Sequence, residues 1–147
     1  MTNKKNILTF LTIVLLALWI PVVLDKIAHF ATFKHAVLRQ PFPDTLAYIV
    51  SYALPVLEAT VVFLLVWRRY RRWGFVMSTL LMAVFTGYIG LALWGAWGKI
   101  PCGCGSIISG MSWMQHLWFN LFFLLVSIAG LSISNFESKP SHGPQRE

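Results

Sequence analysis

Charge is what this chain has least of. Only 12% of its 147 residues are Asp, Glu, Lys or Arg, about half of the roughly 25% usual in a soluble domain. That deficit excludes an ordinary soluble globular protein. Acids are scarcer still, five against twelve Lys and Arg. Disorder is excluded from the other side. With 57% hydrophobic residues, 15% aromatics and a mean hydropathy of +0.68, the chain holds too much apolar material to stay solvated. Cysteine is almost absent, with two residues in all, so any thiol chemistry must come from one place. The length predicts one domain. An integral membrane protein is the class that fits.

The net charge of +7 could suggest nucleic acid in a soluble protein. Here the cations sit in short clusters between apolar runs, as the flanks of membrane helices do, so they are read as a topology signal and no nucleic-acid partner is expected.

Four apolar runs stand out: 7–24, 46–67, 74–97 and 116–133. Each is long enough to cross a hydrocarbon layer of roughly 30 Å at about 1.5 Å per residue. They are too long and too uniformly apolar for barrel strands, which need about 10 residues of alternating polarity. The expectation is an all-α, four-helix membrane bundle over residues 1–133, followed by a polar, mobile tail over 134–147. Lys4 and Lys5 ahead of the first run resemble a signal peptide. The run is long for one and no small-x-small cleavage site follows, so an uncleaved first helix is expected. Counting Lys and Arg in alternate segments gives eight against four. The richer side holds both termini and Arg68, Arg69, Arg71 and Arg72, so it is expected to be cytoplasmic. Segments 25–45 and 98–115 are then outward loops.

Both cysteines fall in the second outward loop, in Lys99-Ile100-Pro101-Cys102-Gly103-Cys104-Gly105. Facing outward, they meet a compartment where disulfides persist. A ring closed by Cys102 and Cys104 is small and strained, hence easily reduced. Gly103 and Gly105 supply backbone freedom for the turn. Such a pair suits exchange better than bracing, because closing so short a loop removes little unfolded-state entropy. Two alternatives stay open: half of a metal site completed by His116, His29 or His35, and a purely structural pair.

Ser112-Trp113-Met114-Gln115 has the spacing of a capping box, placing the cysteines just upstream of a helix N-terminus. That end, with Lys99, favours a thiolate. Trp113, His116, Asn120 and Ser127 share one face of the helix, expected to point into the bundle. His116 could exchange a proton with a cysteine or hydrogen-bond to a neighbouring helix. The second run carries Pro55 and Glu58, on one face with Ser51. With Asp44 as N-cap, Glu58 lies roughly 21 Å along the helix, near mid-membrane. It reads either as an interhelical hydrogen bond or as a proton-relay or ligand contact. Lys26 and His29, at the end of the first run, read as snorkelling residues at the outer surface. Gly87 and Gly90 offer close packing, and Trp94 and Trp97 an interfacial belt.

Lys26 with Phe30, Leu54-Pro55-Val56-Leu57-Glu58, Tyr88, Pro101-Cys102-Gly103-Cys104-Gly105, Trp113-Met114-Gln115-His116-Leu117 and Phe119-Asn120 together resemble the MauE family, the methylamine-utilisation group of small DoxX-like membrane proteins. The resemblance spans about residues 7–133. Where similar sequences often have two glycines after the second cysteine, this chain has Gly105-Ser106. The resemblance implies a four-helix inner-membrane protein tied to thiol–disulfide chemistry on the periplasmic face, paired with a thioredoxin-like partner. In the founding case it serves maturation of methylamine dehydrogenase. On this reading Cys102 and Cys104 cycle between dithiol and disulfide as an oxidoreductase. Lys99 and His116 promote the thiolate, while Glu58, Lys26, His29 and Asn120 are further polar candidates. A quinone is the cofactor left open. Related quinone-linked systems use a second cysteine pair, which this chain lacks. The competing expectations are a non-catalytic anchor or assembly subunit of a larger membrane complex, and a small transporter working through Glu58.

Overall fold

The computed structural model describes residues 2–41, 43–96 and 112–137, all helix and short connections. The helices are α1 (Thr2–Ala28), α2 (Phe30–Leu38), α3 (Asp44–Val66), α4 (Arg71–Leu93) and α5 (Trp113–Glu137). No strand occurs among the described residues. Four of the helices, all but α2, are long and apolar enough to cross a membrane. Helix is the form such runs must take in lipid, because it satisfies every backbone group within the segment. Their outward faces carry large apolar side chains such as Phe10, Ile13, Val56, Leu80 and Leu125. Water would make that costly and hydrocarbon makes it free.

The long helices form a ring in which α1 packs on α3 and α5, and α4 packs on α3 and α5. α2 packs on α3 and, less, on α1. The core sits in the half of the bundle near the α3–α4 turn. There Leu8, Leu15, Leu18 and Trp19 of α1 meet Val61 and Leu65 of α3 and Phe75 and Met82 of α4. Two glycines permit this closeness. A Cβ on Gly130 would fall 2.1 Å from the Phe75 ring, and one on Gly74 2.9 Å from Leu65. Gly87 and Gly90, the pair expected to pack closely, have nothing within 4 Å of that position. Other positions of the same stretch carry the packing, with Ile89 and Ala92 buried.

Within the core, a relay of hydrogen bonds ties three helices together. Trp19 Nε1 donates to Ser78 Oγ at 3.0 Å. Ser78 Oγ lies 2.8 Å from Ser127 Oγ, which in turn donates to the Phe123 carbonyl at 2.9 Å. With the Ser78 proton on Ser127, every donor in the relay has an acceptor.

The helix ends follow local rules. Ser112 and Gln115 form the expected capping box, with Gln115 N–H on Ser112 Oγ and Ser112 N–H on Gln115 Oε1. α4 stops in a Schellman motif. Gly95 takes φ +81, its N–H bonds the Ala92 carbonyl, and Ala96 N–H bonds Leu91. Helix α3 begins one residue earlier than expected: Pro43 is its N-cap, and Asp44 is the acid in its first turn, where it favours the helix dipole.

Segment 25–45, expected as a loop, is largely helical. α1 continues to Ala28, and after His29 the chain turns into α2 with backbone bonds carried across the joint (His29 N–H to Asp25, Phe33 N–H to His29). The reason is amphipathic. Phe33 and Val37 bury themselves against Ala47, Val50 and Leu54, while Lys34 and His35 lie toward the outside. At nine residues α2 is too short to register as a span.

Candidate functional site

The end of the bundle opposite the core encloses a cavity of about 450 Å³, lined by residues from all five helices. Its walls are mostly apolar: Trp19, Phe33, Phe85, Trp113 and Phe119 supply aromatic surface. A few polar groups converge on it, chiefly Lys26, Gln40, Glu58, Tyr88, His116 and Asn120. A largely apolar pocket with a few placed polar groups is the usual form of a small-molecule site.

The dominant polar feature is an ion pair inside the span. Lys26 Nζ donates to Glu58 Oε1, and both side chains are buried. The ammonium also lies 5.2 Å from the Phe33 ring centroid and 5.8 Å from that of Phe85. The charge is thus met by one carboxylate oxygen and two ring faces. The second oxygen of Glu58 has no hydrogen-bond partner. Lys26 therefore does not snorkel outward. Side chains lean toward the N-terminus of their helix. A lysine in the last turn of α1 consequently reaches back into the bundle, where Glu58 waits on α3. Taking both charges out of water costs several kcal/mol for each ion, which only a close, well-placed partner offsets.

Around this pair, Tyr88 Oη donates to Gln40 Oε1, joining α4 to the segment after α2, and Gln40 Nε2 donates to the Ala36 carbonyl at 3.2 Å. On α5, Asn120 is buried, and its Nδ2 donates to the His116 carbonyl at 2.8 Å. The His116 ring is half-buried, 6.5 Å from the Trp113 ring. The capping box fixes the first turn of α5, and with it the direction in which His116 enters the cavity.

Of the residues singled out in the sequence, Glu58, Lys26, His116 and Asn120 meet at this cavity. His29 does not. It is exposed, with Nδ1 3.0 Å from Asp25 Oδ1. Cys102, Cys104 and Lys99 lie outside the described residues. Sequence reasoning missed Gln40 and the aromatic pair Phe33 and Phe85 as cavity residues. It noted Tyr88 without a role. The usable signal was the spacing of Phe30, Phe33 and Val37, which marks an apolar helical face.

A family model described as Methylamine utilisation protein MauE matches residues 4–133. No curated protein and no solved structure matches the chain.

Proposed function

The chain belongs to the MauE family and is a multi-pass membrane protein; from that premise we propose that it is a thiol–disulfide redox protein of the bacterial inner membrane. Cys102 and Cys104 are its exchanging pair, held on the periplasmic side with both termini in the cytoplasm. A thiolate of the pair attacks the disulfide of a thioredoxin-like partner, a mixed disulfide forms, and the second thiol resolves it. The end products are oxidised exported proteins or their reduced precursors, according to the direction of flow.

The observation that carries the reading is the junction between the cysteine run and α5. Cys104 lies eight residues before Ser112, whose capping box opens the helix. One turn further on, His116 reaches a cavity held by a buried ion pair. A helix N-terminus stabilises a nearby thiolate, and an imidazole at its first turn is placed to handle the proton. Lys99 adds positive charge to the same segment. Asn120 anchors the His116 backbone and serves as a positioning residue.

The test is capture of the intermediate. A Cys104→Ser protein in intact cells is expected to accumulate a disulfide-linked adduct with a thioredoxin-like protein, identified by mass spectrometry. A thiol reagent that does not cross membranes should label Cys102 in the same cells. No adduct from either single-cysteine variant, together with unchanged partner redox state in the Cys102→Ser/Cys104→Ser protein, overturns the proposal.

A second reading rests on the Lys26–Glu58 pair. If that pair is the functional centre, the protein is an assembly subunit or a small transporter, and the cysteines are incidental. Glu58→Gln then abolishes function while both cysteines are dispensable.

A further inference from the structure

The cavity has an opening. Leu57 of α3 and Val84 of α4 line it, and both are exposed, at 39% and 65%. Both lie within membrane spans, so this exposure faces hydrocarbon. The two helices meet closely at the Leu65–Gly74 contact, beside the turn that joins them. A ligand that enters here comes out of the bilayer.

The chemistry inside selects among lipid-soluble molecules. Aromatic rings in the wall (Trp19, Phe33 and Phe85) favour a planar ring, which stacks or meets edges with such walls. The Lys26 ammonium has three N–H donors, and Glu58 Oε1 takes one. The others sit between the Phe33 and Phe85 rings, which offer weak attraction and no acceptor. His116 adds a second group able to donate. An acyl chain brings no acceptor to these donors, whereas a ring carbonyl does.

We propose that the cavity between α3 and α4 is a binding site for a lipid-soluble ring ketone of the quinone class. The ring lies against Phe33 and Phe85, one carbonyl accepts from Lys26 Nζ, and the apolar tail leaves past Leu57 and Val84. Its role as electron acceptor rests on the redox reading above. The exchange then balances. In the direction that oxidises the partner, its two thiols reduce the Cys102–Cys104 disulfide by the reverse of the exchange above; the two S–H bonds so formed then give one S–S bond, and the two electrons and two protons turn the quinone's carbonyls into hydroxyls.

Binding is measured without the redox step, in the Cys102→Ser/Cys104→Ser protein in lipid nanodiscs, by quenching of tryptophan fluorescence with decylubiquinone. Saturable quenching is expected, and decanol at equal concentration should not compete. Ala53→Phe, which adds bulk to the cavity wall from α3, is expected to weaken binding at least tenfold. Val84→Trp at the opening should do the same. Lys26→Met/Glu58→Leu, which removes both charges together, should retain the fold and lose the preference for quinone over decanol. Quenching that never saturates overturns the proposal. So does saturable quenching that all three variants leave unchanged, or equal competition by decanol. Adduct trapping in the Ala53→Phe/Cys104→Ser protein separates the two readings. An adduct with no quinone binding leaves thiol exchange standing whatever becomes of the cavity.

Discussion

At the scale of single residues, the chain's polar economy centres on Lys26. A lysine at the outer end of an apolar run normally extends its amine to the interface. This one turns back because its Cα–Cβ bond leans toward the interior and because α2 covers the exit with Phe33. Glu58 was legible as an anomaly, an acid deep in an apolar run. Its partner was not, because the two lie 32 positions apart and no periodicity links them. Removing one member of a buried pair leaves an uncompensated charge, which costs about 3–5 kcal/mol, while replacing both by apolar groups is often neutral. Lys26→Met is therefore expected to lower stability by that amount in detergent unfolding. Lys26→Met/Glu58→Leu should recover most of the loss. Equal stability of the single and double variants contradicts this account of the pair.

At the scale of elements, helix identity was plain in the sequence and helix packing was not. Four runs, their approximate limits and the capping box at Ser112 and Gln115 all follow from local chemistry. The closest approach of helices does not, because any glycine in an apolar run looks equally suited to it. Gly87 and Gly90 drew attention as a spaced pair. The contact falls instead at Gly130, where the Phe75 ring occupies the place of a side chain. The difference is measurable. Gly130→Ala must displace that ring, and overpacking of this kind costs about 1–3 kcal/mol. Gly87→Ala meets open space and should raise stability by up to about 1 kcal/mol through helix propensity. Thermal unfolding of the two variants should therefore shift in opposite directions, and Phe75→Leu should rescue Gly130→Ala. Helix α2 escaped notice for a different reason: its Lys34, His35 and Arg39 read as a polar loop, while Phe33 and Val37 were doing the packing.

At the scale of the whole molecule, membrane residence follows from composition, and the distribution of cations is the basis of the proposed orientation. Arg68, Arg69, Arg71 and Arg72 lie in or beside the α3–α4 turn and account for half of the positive charge on their side of the bundle. Replacing all four by Gln should leave the two sides nearly balanced. Fusions of the C-terminus to a reporter active only outside and to one active only inside should then both give signal, where the native chain is expected to light only the second. An unchanged pattern would mean that the first span alone decides insertion. The cavity was beyond sequence reasoning, because residues of all five helices line it, a property of no single segment.

The short turn at Trp67–Tyr70 has a mechanical consequence. With Leu65 pressed against Gly74, α3 and α4 are joined like the arms of forceps, each about 34 Å long by helical rise. A small rotation at the joint moves the far tips most. The tips are where α3 meets α2 and where α4 leads into the cysteine-bearing segment. A guest wedged between the arms would thereby be felt at the far rim, with no other linkage required.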